Sequence, residues 1–398
     1  MITFPEVHAL LAAQARSFGV EEVKLEEASG RVLAENVRAD RPYPPFNRSA
    51  MDGYALKYSD WEQGIRRFRV AETLYAGSVP TRELQSGQCF KIMTGAAVPE
   101  GADTVVRRED TSEWGSDKSA YVDLLLDGCR PFQNISRKGE DLKAQAEIID
   151  TAIRLEPSVI GLLATLGKST VLVERLPRVA LFTTGNEVVP VEAPVGPVQI
   201  RNSNRWLLQS FLGRWGIAPF ICRHLPDDVD SLRSALQSAL EADILILSGG
   251  VSAGDADYVP QVLEELGVKK LFHKVAIKPG KPLWCGQLPG GGMVFALPGN
   301  PFSCLVNANL FIQHYLQCCF GLPGVQPVFL PLYGGRSKKT KLDEFFPVRL
   351  SGRPTGLVPV VLNGSGDIRL GLGAQGLALH AAGQEDLPEG EIVPCYML

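Results

Sequence analysis

The sequence lacks the features of several specialised classes of protein. Its eight cysteines form no CxxC pair, and Cys222 and Cys285 lie within apolar runs. No stretch approaches the roughly 18 apolar residues that a membrane-spanning helix requires. Scattered cysteines of this kind are typical of reduced core thiols rather than of disulfides or a zinc site. We therefore expect a cytoplasmic protein with no membrane partner.

An excess of positive charge is absent too, and histidines are few. The formal net charge is -4 and the pI is near 5.9, values that argue against a general nucleic-acid-binding protein. The five histidines show no spacing typical of metal ligands. The first stretch, MITFPEVHALLAAQARSFGV, has neither a basic start nor a continuous apolar core. It predicts an amphipathic helix instead of a signal peptide.

A well-known phosphate-binding motif, GxxxxGK[ST], is also missing, and residues 248–303 contain no GxGxxG motif. In their place, residues 248–303 concentrate glycine-bearing turns, lysines and aspartates. The segments are LSGGVSAGDAD, VAIKPGKPLWCG and FALPGNPFS. This composition suits a phosphorylated, anionic ligand.

The length of 398 residues is too great for one ordinary core, so we expect two to four domains. Residues 66–127 predict a β-rich module, and the Gly/Pro turns after residue 325 predict a small β barrel or sandwich. Between 178 and about 321, apolar strands alternate with helices, which predicts a doubly wound, mostly parallel sheet. The expected strands there are RVALFT, APFICR, DILILS, KKLFHKVAI, KPLWCG and MVFAL. The expected helices are SNRWLLQSFLGRWG, DVDSLRSALQSALE, DYVPQVLEEL and PFSCLVNANLFIQHYLQ.

Polar, glycine-rich turns follow three of these strands. RVALFT leads into residues 184–187 (TGNE), DILILS into 249–255 (GGVSAGD), and MVFAL into 298–301 (PGNP). Ligands bind at the carboxyl ends of strands in open parallel sheets. We therefore expect one shared crevice.

The residues of these turns suit an anion. Asn300 is a good N-cap residue and Pro301 suits a first helical position, where free N–H groups and the helix dipole favour phosphate or molybdate. Gly249 and Gly250 allow close approach of the backbone to a ligand, and Ser252 adds a hydroxyl donor.

Lysines and carboxylates complete the expected crevice. Lys278 and Lys281 flank a Pro-Gly turn that restricts where their ammonium groups point, although lysines usually lie on a solvated surface. Each carboxylate alone is more typical of a cap or a turn, but with a phosphate crevice the set suggests Mg²⁺, which binds one or two carboxylates plus substrate phosphates. The carboxylates are Asp52, Glu187, Asp227, Asp228, Asp255 and Asp257.

Two upstream loops remain ambiguous from spacing alone. Asp52 follows the proline-rich segment RPYPPFNRSAM, which is stiff enough to present a side chain, yet Asp52-Gly53 is equally consistent with a simple turn. Thr94 presents a hydroxyl to a ligand or closes a turn, and the turn is favoured. The residues by themselves thus predict a multidomain protein with a nucleotide- or phosphate-type crevice.

A set of motifs in a fixed order resembles the MoeA family of molybdopterin molybdenumtransferases (molybdenum insertases), which is related to the E domain of gephyrin. The matching segments are PPFNRSAMDGYA (44–55), MTGAAVPEGADTVV (93–106), RKGED (137–141), TTGNEVV (183–189), RNSN (201–204), LSGGVSAGDAD (247–257), IKPGKPLWCG (277–286) and LPGNPFS (297–303).

The resemblance implies an α/β multidomain fold around a central doubly wound, mostly parallel, MogA-like sheet domain. Expected domains are an elongated helical or linker domain (1–44 and 141–175), an inserted β-rich domain (45–140), a molybdopterin-binding α/β domain (176–325) and a C-terminal β barrel (326–398). It also implies a homodimer whose site is shared between subunits.

The implied reaction inserts molybdenum from molybdate into adenylylated molybdopterin, with Mg²⁺-dependent release of AMP. Asp52, Thr94, Glu187 and Asp257 fall on positions tied to activity, and Asp257 with Asp52 or Glu187 would hold Mg²⁺. One of Asp227 and Asp228 should match a further such position. Residues expected to bind the pterin phosphate or the oxyanion are Gly249, Gly250, Ser252, Asp228, Lys278, Lys281, Pro298, Asn300, Pro301 and Ser303.

The C-terminal region departs most from the family pattern. Asn363 stands where the family has Gln before a Ser365-Gly366 pair, and EFFPVRL leaves Arg349 as the only near candidate for an arginine that often follows EF. Oxyanion contacts from this region are therefore doubtful on sequence grounds.

Three other functions fit parts of the pattern. A molybdopterin adenylyltransferase, which is also a possible partner, and a hydrolase that recycles pyridine nucleotides share the α/β domain. Neither requires AMDGYA, KPGKP or the additional domains. A non-catalytic scaffold like gephyrin would predict lost carboxylates, yet Asp52, Glu187 and Asp257 are present.

Overall fold

A computed structural model describes residues 1–115, 120–251 and 258–398. Two compact units divide the chain. The first comprises Met1–Ala34, Thr151–Gly161 and Ser169–Leu398, and the second comprises Glu35–Asp150 and Leu162–Lys168. The boundaries of the four expected domains stay a prediction. Ser252, Asp255 and Asp257 lie outside the described residues.

The helices of the described residues are short. The α-helices are α1 (Phe4–Ala13), α2 (Tyr58–Glu62), α3 (Pro157–Thr165), α4 (Ser203–Gly213), α5 (Val229–Gln237), α6 (Val259–Glu265), α7 (Pro301–Asn307) and α8 (Gln313–Cys319). Leu25–Glu27 and Arg108–Asp110 form 3₁₀ turns, and a π-helical segment, Ala308–Ile312, joins α7 to α8.

The strands fall into a group before residue 178 and a group after it. The first group is β1 (Val20–Lys24), β2 (Val37–Arg38), β3 (Arg48–Ser49), β4 (Gly53–Leu56), β5 (Arg67–Leu74), β6 (Gln88–Ile92), β7 (Thr104–Arg107), β8 (Thr111–Trp114), β9 (Tyr121–Leu124), β10 (Ile135–Ser136), β11 (Glu147–Ile149) and β12 (Thr170–Glu174). The second group is β13 (Val179–Thr184), β14 (Val188–Val189), β15 (Ile200–Arg201), β16 (Ile221–Leu225), β17 (Ile244–Ser248), β18 (Lys269–His273), β19 (Ile277–Lys278), β20 (Trp284–Gln287), β21 (Met293–Leu297), β22 (Val328–Pro331), β23 (Arg336–Ser337), β24 (Asp343–Ser351), β25 (Gly356–Pro359), β26 (Gly376–His380), β27 (Asp386–Leu387) and β28 (Ile392–Met397).

The first unit contains a six-stranded sheet in the order β16-β13-β17-β21-β20-β18. Its central pairs β16-β13, β13-β17 and β17-β21 are parallel, as the alternation of strands and helices predicted. β20 runs in the opposite direction to both of its neighbours. It is joined to β21 by a tight turn with a hydrogen bond of 2.7 Å from Leu288 N–H to Gly292 O, and so short a connection permits only antiparallel strands. The α/β fold is confirmed, with a mixed sheet.

Both faces of this sheet are covered, which explains why its strands are apolar throughout. Ile244 and Ile246 of β17 belong to one core cluster, together with apolar residues of α4 and α7. Leu245 and Leu247 alternate with them and face a second cluster that includes residues of α5 and α6. A strand buried on both faces loses the alternation of apolar and polar residues.

The expected strand KKLFHKVAI is in fact two strands in different sheets. Lys274 has a φ of 71°, a left-handed conformation that ends β18. Beyond it, β19 pairs in parallel with β24, so Lys278 lies opposite Glu344 in a sheet of the C-terminal region. The prediction of one continuous strand is wrong.

The C-terminal region forms a sheet in the order β19-β24-β26-β28-β22, and β25 pairs with β24. Tyr333 N–H, just beyond β22, donates a 2.7 Å hydrogen bond to Leu357 O of β25. This bond brings the two margins of the sheet together. The closed barrel stays a prediction.

The second unit is rich in β structure, as residues 66–127 predicted. Its largest sheet has the order β7-β4-β6-β5-β9-β8. Ala55 and Phe90 belong to a cluster on one side, whereas Tyr54 and Cys89 belong to a cluster on the other. Alternating apolar residues in the segment GRVLAENVRAD (30–40) predict a strand, but the segment contributes only β2 and two isolated bridges at Val32 and Leu33.

The structure also describes the state of the cysteines and the length of the helices. All eight cysteines are free thiols. Within residues 1–115, 120–251 and 258–398, no helix is both long enough and apolar enough to span a membrane.

Candidate functional site

A chain of hydrogen bonds fixes the turn that follows β13. Asn202 Nδ2 donates to Thr183 Oγ1 (2.8 Å), and Thr183 Oγ1 lies 3.1 Å from His224 Nδ1. His224 Nε2 in turn lies 3.1 Å from Gly185 O. Because a carbonyl oxygen can only accept, the neutral imidazole donates from Nε2 to Gly185, and its Nδ1 accepts from the hydroxyl of Thr183. The histidine thus has a structural part that the sequence did not reveal.

The two adjacent aspartates near this turn have different partners. Asn186 N–H donates to Asp227 Oδ2 (3.1 Å), and Asp227 N–H donates back to Asn186 Oδ1 (3.2 Å). Asp228 instead accepts from Ser231 N–H (2.9 Å) and caps α5, and hydrogen bonds from Ser231 lower its pKa. Asp227 is therefore the member of the pair that joins the strand-end turn. Glu187 is exposed in the same turn.

The turn after β17 approaches the end of β13 very closely. A Cβ atom on Gly249 would lie 2.6 Å from Thr184 Oγ1, and φ there is 103°. Gly250 has a φ of 66°, and a Cβ on it would lie 2.9 Å from Val259 Cγ2. Only glycine meets both requirements, as expected for a close approach of backbone. Thr184 Oγ1 is buried and has no hydrogen-bond partner among the described residues.

One side chain joins the ends of β17 and β21. Asn204 Nδ2 donates to Ser248 Oγ (2.9 Å) and to Gly299 O (2.8 Å). Since β13, β17 and β21 are adjacent in the sheet, the three polar turns lie side by side, as the sequence predicted.

A glycine turn positions the two lysines. Gly280 lies between Lys278 and Lys281 with a φ of 96°, and its carbonyl accepts a 3.2 Å hydrogen bond from Asn307 Nδ2. Asn307 is completely buried, and a Cβ on Gly280 would lie only 2.5 Å from its Oδ1. Asn307 of α7 therefore stabilises the turn through its buried side chain. Both lysines are exposed.

A cavity of about 640 Å³ opens where this turn meets the start of α7 and the C-terminal sheet. Five of the predicted ligand-binding residues line it, together with residues of the C-terminal region. The polar and predicted lining residues are Lys278, Lys281, Pro298, Asn300, Ser303, Arg336, Glu344 and Ser365. Ser303 is buried at its wall.

Asn300 occupies the N-cap position of α7, but its side chain makes no capping hydrogen bond. Its Nδ2 donates instead to Ser365 Oγ at 3.0 Å. Asn300 is thus the N-cap residue, as predicted, but its side chain bonds to the C-terminal loop instead of to the helix backbone. The same bond ties the start of the helix to the loop that contains Ser365.

The C-terminal region contributes charge that the sequence did not predict. Arg349, the only near candidate on sequence grounds, is exposed on β24 opposite Val358 of β25 and does not line the cavity. Arg336 lines the cavity in its place. The pairing of β23 with β27 places Arg336 at the cavity. This pairing joins distant parts of the chain, so no local sequence pattern predicts it.

Glu344 lies between two cations of the cavity wall. Its Oε2 is 3.5 Å from Lys278 Nζ, and its Oε1 accepts from an Nη atom of Arg336. The other Nη of Arg336 lies 2.9 Å from Nδ1 of the buried His380. Burial, with Lys338 and Arg336 nearby, lowers the pKa of His380, which favours the neutral, accepting imidazole.

In the second unit, Asp52 and Thr94 form a pair although they are 42 residues apart. Asp52 Oδ1 accepts from both Thr94 N–H and Thr94 Oγ1, each at 2.7 Å. These two bonds lower the pKa of Asp52, so the carboxylate is ionised at neutral pH. Both residues are exposed and available to a ligand.

No three His, Cys, Asp or Glu side chains are grouped as metal ligands in the part of the chain that the structure describes. Mg²⁺ commonly takes one or two protein carboxylates and completes its shell with phosphate oxygens and water. Exposed Glu187, at the strand-end turn, is a donor of that type.

Comparisons with known proteins agree with this arrangement. Residues 2–167 match the family described as MoeA N-terminal region (domain I and II), and residues 180–318 match "Probable molybdopterin binding domain". The chain is 37% identical over 305 residues to a molybdopterin molybdenumtransferase of Bacillus subtilis, covering 75% of this chain and 70% of that protein. It is 32% identical over 406 residues to one of Synechocystis, with both chains covered completely.

Solved structures give the same result. The crystal structure of a molybdopterin biosynthesis MoeA protein from Pyrococcus horikoshii OT3 has a TM-score of 0.84 and 27% identity, and covers 100% of both chains. A second structure of that name from Pyrococcus horikosii has a TM-score of 0.80 and 30% identity, and covers 100% of this chain and 99% of the other. The chain belongs to the MoeA family of molybdopterin molybdenumtransferases, enzymes of molybdenum cofactor biosynthesis.

Proposed function

We propose that the protein inserts molybdenum from molybdate into adenylylated molybdopterin and releases AMP in a Mg²⁺-dependent step. The observation that carries this proposal is the cation-lined cavity of about 640 Å³ beside the strand-end turns. Pro298 and Asn300 belong to both places, so an oxyanion and an organic phosphate would be bound next to each other.

Molybdate would bind to Lys278, Lys281 and Ser303. Both lysines are on the turn that Asn307 fixes, so little conformational entropy is lost when they engage a dianion. Ammonium and hydroxyl groups donate only to the oxygens of the ion and leave its metal centre free for transfer to a dithiolene.

The pterin phosphate would bind along the turns after β17 and β21. Gly249 and Gly250 leave backbone room there, and the buried Thr184 Oγ1 supplies an unused hydroxyl among the described residues. Ser252 stays a predicted contact, as do Asn300 and Pro301. The N-terminal backbone of α7 would contribute through its free N–H groups.

AMP release would need a divalent cation at the pyrophosphate bridge. Asp257, with Asp52 or Glu187, would hold Mg²⁺, which would supply charge neutralisation for the leaving phosphate. Asp52 is ionised and oriented by Thr94, so it is suited either to bind the cation or to orient water. We assign Asp227, rather than Asp228, to the edge of this site, because Asp228 is used as a helix cap.

We further propose a cytoplasmic homodimer in which Asp52 and Thr94 of one subunit complete the site of the other. The eight free thiols are consistent with a reducing compartment. Velocity sedimentation tests the dimer, and mixing a subunit that lacks Asp52 with one that lacks Lys281 tests the shared site. Activity regained in the mixture supports sharing, and inactive mixed dimers contradict it.

The test of the reaction supplies purified protein with adenylylated molybdopterin, Mg²⁺ and either molybdate or tungstate. AMP release and metal insertion are followed together. Oxyanion-dependent release of AMP is expected, and no release with either oxyanion overturns the proposal. A parallel reaction with molybdopterin and ATP tests the rival adenylyltransferase activity, which would instead produce the adenylylated substrate.

A further inference from the structure

The carbonyl of Gly185, in the turn after β13, accepts two hydrogen bonds. Val188 N–H donates to it at 3.1 Å and closes the turn over residues 185–188. His224 Nε2, from the neighbouring strand β16, donates to the same oxygen at 3.1 Å. A carbonyl oxygen has two lone pairs, so these two donors use both and fix the direction of the carbonyl.

Gly185 in turn determines where the carboxylate of Glu187 lies. A Cβ atom on Gly185 would lie 2.8 Å from Glu187 Oε2 and 2.9 Å from Oε1, and φ there is 135°. The carboxylate thus occupies the space that a side chain at position 185 would fill, and only glycine leaves that space free. A change in the position of Gly185 therefore moves the carboxylate with it.

The imidazole of His224 is itself held at its other nitrogen. Thr183 lies opposite His224 in the parallel pair of β13 and β16, and its hydroxyl is 3.1 Å from Nδ1. Asn202 Nδ2 donates to that hydroxyl at 2.8 Å. With both ring nitrogens engaged, the ring has one orientation, and Nε2 is directed at the turn. Groups that orient the ligand of a metal ion in this way strongly affect the affinity for the ion.

We propose that His224 is a positioning residue for Glu187, and that through Gly185 it fixes the place where this carboxylate meets a divalent cation. The inference rests on the proposed function of the same turn, in which Glu187 is a candidate ligand of Mg²⁺. A glutamate side chain loses rotamer freedom when it binds an ion, and a carboxylate that is already held in place loses less.

The test compares His224→Asn with His224→Gln. The amide nitrogen of glutamine reaches about as far as Nε2 and can still donate to Gly185 O, whereas the shorter asparagine cannot. Mn²⁺ replaces Mg²⁺ as a paramagnetic probe, and electron paramagnetic resonance measures its binding in the presence of AMP. The affinity for Mn²⁺ should fall about 10-fold in His224→Asn and be retained in His224→Gln. Equal affinity in His224→Asn and the wild type overturns the proposal, as does a wild type in which Mn²⁺ binding does not depend on Glu187.

Two further variants separate positioning from general damage. Arg223 is exposed on β16 and points to the opposite face from His224, so Arg223→Gln should bind Mn²⁺ like the wild type. The double variant of His224→Asn and Glu187→Gln should bind Mn²⁺ no more weakly than Glu187→Gln alone, because His224 acts through that carboxylate. Additive losses would contradict the assignment.

The fold of the turn should survive in His224→Asn, because Asn186 and Asp227 still exchange two hydrogen bonds there. If the variant nevertheless does not fold, Gly185→Ala tests the same link with His224 intact. Its Cβ would displace the carboxylate of Glu187, so the affinity for Mn²⁺ should again fall about 10-fold, and unchanged affinity refutes the link.

The proposed reaction and this inference can fail separately, because the Mn²⁺ titration needs no turnover. A wild-type protein that binds Mn²⁺ through Glu187 but releases no AMP would fail the reaction alone. In an active protein, the kcat for AMP release should fall in His224→Asn while the KM for molybdate stays unchanged, since residues 184–187 do not line the cavity. A rise in that KM with an unchanged kcat contradicts the positioning role.

Discussion

Asn307 Nδ2 donates to Gly280 O at 3.2 Å, and this bond ties the lysine turn to the helix that contains Ser303. Asn307→Ala would leave the carbonyl of Gly280 buried without this partner. The unfolding free energy should fall by about 1–3 kcal/mol. The KM for molybdate should rise more than the KM for the organic substrate, as steady-state kinetics with each substrate varied would measure.

The same pair predicts a coupling between two substitutions. A Cβ on Gly280 would lie 2.5 Å from Asn307 Oδ1, so Gly280→Ala should destabilise the protein strongly. In an Asn307→Ala background the steric part of that loss should disappear, and only the cost of a left-handed alanine, about 1 kcal/mol, should remain. Urea unfolding of both single variants and the double variant measures this, and strictly additive changes contradict the contact.

Thr94 should set the pH range in which AMP is released. Thr94→Val removes the hydroxyl bond to Asp52 but keeps the N–H bond, so the pKa of Asp52 should rise and the acid limb of the rate profile should move to higher pH. At neutral pH Asp52 stays ionised, so the rate should fall there only because its carboxylate is less well oriented, by about 10-fold. Thr94→Ser is the matched control and should behave like the wild type. If the dependence of the rate on pH is not shifted in Thr94→Val, the result would contradict a part for Asp52 in the reaction.

Stability should fall on acidification because of His8. Its Nε2 donates to Leu310 O (2.9 Å) and its ring stacks on His314 at 3.9 Å, and burial lowers its pKa to about 4. The unfolded state, with a pKa near 6.5, binds the proton more strongly, so the stabilisation is complete above pH 6.5 and is lost as pH falls towards 4. The loss is at most about 3 kcal/mol. His8→Gln retains a donor to Leu310 and should reduce this slope in urea unfolding measured from pH 7.5 to 4.5.

Removal of divalent cations should separate the two parts of the site. EDTA should abolish AMP release, because the pyrophosphate would lose its neutralising cation. Molybdate binding should persist, because the proposed ligands of the ion are lysine and serine side chains of the cavity and need no metal ion. Restoration by Mg²⁺ is the control, and release of AMP that is indifferent to EDTA would contradict a metal-dependent step.

The sequence predicted the parts of the site that local patterns encode. The apolar runs that end in TGNE, GG and PGNP mark strand ends, and the parallel order of β13, β17 and β21 then brings those ends together. Asp52 and Thr94 could be singled out only through the family resemblance, because each is also an ordinary turn residue. Their hydrogen bonds depend on the pairing of β4 with β6, which is a long-range contact.

The features that the sequence could not predict depend on which strands pair and in which register. Arg336 enters the cavity through the pairing of β23 with β27, about fifty residues away, and Arg349 is turned outward by the register of β24 with β25. The division of KKLFHKVAI depends on one left-handed residue, Lys274, and lysine has no particular preference for that conformation. Local patterns therefore gave no sign that Arg336 lines the cavity, and they predicted one strand where there are two.

The pairing of β19 with β24 has a consequence for any shortened form of this protein. The strand that presents Lys278 forms its parallel ladder with a segment that begins at Asp343. A chain cut near residue 325 would keep every motif of the molybdopterin-binding region and still lose the neighbour of its lysine strand, with Arg336, Glu344 and Ser365. Such a fragment would keep the turns proposed to bind the pterin phosphate but would lack the complete wall of the cavity proposed to bind the oxyanion.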